Sequence, residues 1–234
     1  MLPRNFAEFC AALSAAGFSM AGGHDQGVID VIGHSWDDAP ADSPLRWHTG
    51  DAETDPWQWR IRVLDERNDI AYGKLFFRKA GYITRAWYPH FLAVRRNGRD
   101  FEEGYQEGLY SRDARQIYAA LAALGAMPAH LLRAEAGFGK GEGKRFEKAL
   151  VDLQMGLFIT ASGQAYRQDH TGAPYGWPSM LYCTTEQFWG DEVFEEAEAL
   201  EPEQAATAIA EQILRLTPKA SPRKLRAFIA SPFL

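Results

Sequence analysis

Apolar side chains recur at helical spacing from the start of the chain: Phe6, Phe9, Cys10 and Leu13 share one face of a helix predicted over 4–16, with Gly17 placed to end it. Between 22 and 55 the pattern dissolves into glycine- and aspartate-rich loops around one apolar run, Val28-Ile29-Asp30-Val31-Ile32, which predicts a strand. From Trp57 the spacing of Trp59, Ile61, Val63 and Leu64 fits a strand and a helix equally, and period alone does not separate them. Residues 71–82 are rich in aromatics, and 86–95 reads as a helix interrupted at Pro89.

The middle of the chain is more regular. Residues 114–124 place Ile117, Tyr118, Leu121 and Leu124 on one helical face that Gly125 closes. Pro128 suits the first turn of a short helix through Leu131 and Leu132 to Gly137. A glycine-rich turn over 137–143 leads to a third helix with Phe146, Ala149, Leu150 and Leu153 aligned, ended by Gly156. Leu157-Phe158-Ile159-Thr160 then predicts a strand, Ser162-Gly163 a turn, and 180–183 a returning strand. After Thr185 follow an acidic helix with Phe188, Val193 and Phe194 inward, a helix over 205–216, and a basic terminal helix around Leu225, Phe228 and Ile229.

Three short helices, a strand, a loop and a second strand is the order of a winged helix-turn-helix, whose third helix lies in the major groove and whose hairpin forms the wing. The predicted fold class is therefore α+β: an N-terminal α+β block over 1–110, a winged helix over 111–183, and C-terminal helices over 184–234 packed on the rest.

With 25 Lys+Arg against 31 Asp+Glu the net charge is −6, so the chain has no overall positive field to draw it onto nucleic acid or an anionic membrane. The charge is unevenly placed. Residues 1–110 carry −4, 111–182 carry +2, 183–216 carry −8 and 217–234 carry +4. That leaves room for a local footprint on the winged helix. No run reaches the roughly 18 apolar residues of a membrane span, and no secretory-type apolar segment follows Arg4. Two cysteines, Cys10 and Cys183, make neither a disulfide framework nor a cysteine zinc site. A cytoplasmic protein without a membrane partner or cofactor is the expectation.

On the third helix Lys144, Arg145 and Lys148 lie away from the Phe146/Leu150/Leu153 stripe and suit phosphate contacts with duplex DNA. Arg167 and His170 in the wing would add to them. The same cations equally describe a solvated helix face, and winged helices also serve protein contacts. The densest unusual stretch is Trp47 to Arg60, with Asp51, Glu53, Asp55, His48 and three tryptophans. Trp57 or Trp59 is a candidate platform for stacking an unpaired base. Asp51 or Asp55 is a candidate general base or electrostatic stabiliser of an oxocarbenium ion. The alternative is that the tryptophans anchor a core while the carboxylates cap a turn and a helix or pair with Arg60 and Arg62. His48, Asp51 and Asp55 form a third option, a metal-dependent hydrolase, weakened by the lack of a second histidine at ligand spacing. The turn ending Gly143-Lys144-Arg145 is no phosphate loop, because Phe138 and Arg145 occupy positions that need Gly and Ser or Thr.

The tract Trp47-His48-Thr49-Gly50-Asp51 with Thr54-Asp55-Pro56-Trp57-Gln58-Trp59, together with Tyr175-Gly176-Trp177-Pro178 at the end of the winged helix, resembles the AlkZ-related bacterial proteins over most of 40–190. The resemblance implies distant kinship with winged-helix DNA glycosylases that unhook interstrand crosslinks and alkylated purines, and hence association with DNA. Those enzymes hold the catalytic water with Gln-x-Gln or Gln-x-Asp. Neither motif occurs in this chain, so no catalytic residue carries over.

Overall fold

The structure, a computed structural model, describes residues 2–22 and 27–230. The chain is α+β and divides into two compact units, one of Met1–Gly98 with Glu192–Leu234 and one of Arg99–Asp191. The C-terminal helices therefore close back on the N-terminal segment.

In the first unit, helix α1 (Phe6–Ala16) is capped by Asn5, whose side chain accepts from the Glu8 N–H. It ends at Gly17, whose φ of 88° directs its N–H to the Leu13 carbonyl. Glycine is required there twice over, because a Cβ would lie 2.2 Å from the Trp87 ring. Strand β1 (Phe18–Met20) follows, and then the run 28–32. That run is not a strand: it makes a single parallel bridge, Met20 to Asp30, because Gly27 and Gly33 turn the chain at both ends with positive φ. Val31 and Ile32 are still buried.

Helix α2 (Pro56–Glu66), strand β2 (Ile70–Phe76) and strand β3 (Lys79–Thr84) come next. The strands pair antiparallel in the order β1-β3-β2, with Phe18 opposite Ile83 and Tyr72 opposite Tyr82. Phe77 and Arg78 close the β2–β3 hairpin with positive φ at both positions, the twist a two-residue turn needs. Pro89 does not interrupt helix α3 (Tyr88–Arg96) but sits in its first turn, where its missing N–H has no partner to lose.

In the second unit, α4 (Phe101–Gln106) and α5 (Arg112–Leu124) precede a two-residue strand β4 (Met127–Pro128), then α6 (Ala129–Glu135) and α7 (Gly143–Met155). Strands β5 (Ile159–Gln168) and β6 (Pro174–Thr184) form a long antiparallel hairpin, and β4 pairs with β6 through Met127–Tyr182 and Pro128–Leu181. Ser162-Gly163 is not the turn. Gly163 sits inside β5 at a register shift, and the chain reverses at 169–173, where Asp169 accepts from the Thr171 and Ala173 N–H groups. The stripe of α7 is buried as its spacing predicts, with Phe146, Leu150 and Leu153 withdrawn from solvent. Helix α8 (Thr185–Trp189) starts from a Thr184/Gln187 capping box.

Helices α9 (Glu192–Glu198), α10 (Pro202–Leu216) and α11 (Pro222–Ile229) complete the first unit. Arg85 holds Glu196 at 2.8 Å, and Gln212 donates to the Ala16 carbonyl. The Arg95 guanidinium, buried, donates to the carbonyls of Leu75, Phe228 and Ile229 at 2.8–3.1 Å. Phe228 stacks on Phe76 at 3.8 Å. Among the described residues no helix is long and apolar enough to cross a membrane.

Candidate functional site

The tract singled out in the sequence builds the N-terminus of α2 and a cleft beside it. Asp55 is the N-cap, Pro56 follows in the first turn, and Trp59 and Val63 one turn apart are buried, so capping and burial select helix over strand. Asp55 is fully buried. Its Oδ1 accepts from the N–H groups of Trp57 at 2.9 Å and His48 at 3.1 Å, and its Oδ2 from that of Gly50 at 3.0 Å. One carboxylate thus fastens the loop at His48, where φ is 61°, to the first turn of α2. Asp51, exposed, accepts from the Glu53 and Thr54 N–H groups. Neither carboxylate lines the cleft. A general-base role for Asp55 requires breaking its bonds first, and Asp51, which accepts through Oδ1 alone, stands outside the cleft.

The three tryptophans divide. Trp59 lies in the core, stacked on Phe9 at 5.0 Å with no exposed surface, so the expectation of a stacking platform fails for it. Trp57 is 44% exposed and borders the cleft. Trp47 is half-buried, packed against the core on one side and lining the cleft on another. The cleft encloses about 600 Å³. His48 stands between rings, 5.1 Å from Trp57 and 6.5 Å from Trp36. The Arg60 guanidinium lies 3.7 Å over the Trp57 ring, and its Nε donates to the Trp57 carbonyl. Tyr72 and Tyr82 close the floor. Burial raises both phenol pKa values, that of Tyr82 strongly, so both hydroxyls stay protonated. Trp36 and Asp37 escaped the sequence reading. Arg60 was named there only as a partner for the carboxylates, whereas the structure sets it over Trp57, one helical turn before it.

His48, Asp51 and Asp55 do not assemble as metal ligands, because both oxygens of Asp55 are committed to backbone N–H groups. No cluster of three or more such side chains suited to a metal occurs among the described residues.

On α7, Lys144 is exposed, whereas the other two cations are held by acids. Arg145 pairs with Asp113 at 2.6 Å and with Glu142, and Lys148 pairs with Asp152 at 2.7 Å. Arg167 is exposed on β5 directly opposite Tyr175. Around it lies a second cleft of about 700 Å³, lined by His130, Leu131, Tyr166 and Tyr175. His130 Nδ1 is 2.6 Å from Ser179 Oγ, and burial, aided by the Arg167 charge, lowers the imidazole pKa. Trp177, 93% exposed, stands on the hairpin. The sequence signal for this surface was the aromatic content of 166–177.

Fold and site together define an α+β protein that combines a helical unit bearing a long exposed hairpin with an aromatic cleft. A family model described as AlkZ related matches residues 3–230, and the chain belongs to that family. No curated protein and no solved structure matches it.

Proposed function

We propose that Arg99–Asp191 is a winged helix that associates with duplex DNA. The observation that carries this is the order α5-β4-α6-α7-β5-β6, in which a two-residue strand between the first two helices pairs with the last strand of the hairpin. In that arrangement α7 is the recognition helix and the β5–β6 hairpin the wing. Membership of the AlkZ-related family supports the reading. Lys144 on α7 and Arg167 on the wing are the phosphate contacts. Arg145 and Lys148 contribute less, since each is already neutralised by an acid.

The proposal concerns binding. Action on damaged or alkylated bases would be its enzymatic extension, and Asp51 and Asp55, fixed as caps, do not supply that chemistry. The same neutralised cations favour one competing reading, a winged helix that docks a protein partner through Leu131, Tyr166, Tyr175 and Trp177. Duplex binding followed against salt separates the two. DNA association predicts affinity that falls as salt rises, with a slope reduced by about 1 in Lys144→Ala and in Arg167→Ala. Absence of binding at low salt overturns it.

A further inference from the structure

We infer that the aromatic cleft of the first unit is a binding site for a planar heteroaromatic ring of nucleobase type, packed against the exposed rings of Trp57 and Trp36 on either side of His48 and oriented by Arg60 and Asp37. The cleft belongs to a different unit from the winged helix, so this inference stands or falls separately from duplex binding.

The chemistry of the lining selects the ligand. About 600 Å³ suits a small organic molecule, and the walls are mainly ring faces. Trp36 is 67% exposed and Trp57 44%, both on the one cleft rather than scattered over the surface. Large apolar rings left in water around a concavity mark a place where a partner ring completes the packing. A simple cationic ligand is disfavoured, because Arg60 already lies over one face of Trp57 at 3.7 Å. A simple anion would meet Arg60 but make no use of the ring faces. A hydrocarbon would make no use of the charged groups that Arg60 and Asp37, already bonded to Trp57 and Ser35, bring to the lining. A heteroaromatic ring carrying both carbonyl or ring-nitrogen acceptors and N–H donors satisfies all three: it stacks, accepts from the guanidinium and donates to the carboxylate.

The cleft is also prebuilt. Asp55 fixes the backbone at His48 and Trp57, the two positions whose rings stand 5.1 Å apart. Gly22, with φ of 92°, lets the tip of Trp47 lie against the backbone, where a Cβ would come within 2.6 Å of it. The backbone that carries His48 and Trp57, and the tip of Trp47, are thus held in place before any ligand arrives.

Two sources provide such a ring: a free nucleoside, or an unpaired base in a strand. The test is isothermal titration of the full chain with adenosine, with guanosine, and with a duplex carrying one bulged adenine against the same duplex without the bulge. Saturable binding of a nucleoside assigns a small-molecule ligand. Binding gained only with the bulge assigns a strand base. In either case Trp57→Ala and Trp36→Ala are expected to weaken binding about tenfold or more. Trp36→Ala removes an exposed ring and leaves the fold intact, checked by an unchanged unfolding midpoint. No saturation by any nucleoside and no gain from the bulge overturns the inference. So does unchanged affinity in both tryptophan variants.

Discussion

Asp55 shows how one residue type in one pattern supports two chemistries. A carboxylate among tryptophans and a histidine reads as a catalytic group, yet its two oxygens take three backbone N–H donors and its work is to place the rings around it. Charge-assisted bonds to buried amides are costly to remove. Asp55→Ala is expected to destabilise the protein by about 2–4 kcal/mol in urea unfolding, with a smaller loss in Asp55→Asn, which keeps one acceptor oxygen. A change below about 0.5 kcal/mol would contradict the capping role. The alternatives of Asx cap and catalytic base share the same local sequence. Only the positions of His48 and Gly50, set by left-handed backbone, distinguish them. The cysteines make a second residue-scale case. Burial pushes the Cys183 thiol up to about 11 and raises that of Cys10. Neither is expected to react with a thiol reagent at pH 8 until the protein is unfolded, and rapid labelling of the native protein would contradict their burial.

At the scale of elements, legibility followed periodicity. Helices α1 and α5 each bury one stripe, α7 buries its predicted stripe and every residue from Ala149 to Met155 besides, and all three were visible in the spacing of apolar residues alone. Helix α2 was ambiguous because Trp57, Trp59, Ile61 and Val63 alternate as in a strand. The deciding signals were the Asp55 cap and Pro56, which lie outside the periodic run. Strand β4 was illegible, since two residues have no period and owe their pairing to β6. Helix α11 is latched from α3 by Arg95, whose three carbonyl partners include the last turn of α11. Arg95→Met is expected to lower stability by about 3 kcal/mol and to make the C-terminal segment the first site of limited proteolysis. Equal protease resistance would contradict the latch. On α3, burial lowers the pKa of His90, so the folded protein refuses a proton that the unfolded chain accepts below its ordinary value of 6.5. Stability contributed by neutral His90 is full above pH 6.5 and declines as the pH falls below it. His90→Phe is expected to flatten the fall in urea midpoint between pH 7.5 and 5.5, and an unchanged slope would contradict the assignment.

For the molecule as a whole, a net charge of −6 opposes nucleic acid, but the deficit is concentrated away from 111–182, which carry +2. Ion pairing then sharpens what that segment offers: Arg145 and Lys148 are met by Asp113, Glu142 and Asp152, so the proposed footprint rests on Lys144 and Arg167. Few contacts mean a shallow salt slope, smaller than that of strongly basic DNA-binding domains. The tertiary partners that neutralise α7 lie up to 32 residues away in sequence, as Arg145 does from Asp113, which is why the segment's charge overstated its grip. The most direct test of the central claim is fluorescence anisotropy of the full chain with a labelled duplex across a salt series. The account predicts binding at low salt that weakens linearly on a log–log plot, with the slope reduced by about 1 in Lys144→Ala and little changed in Arg145→Ala. Absence of binding at low salt, or a slope unaffected by Lys144→Ala and Arg167→Ala alike, would contradict it.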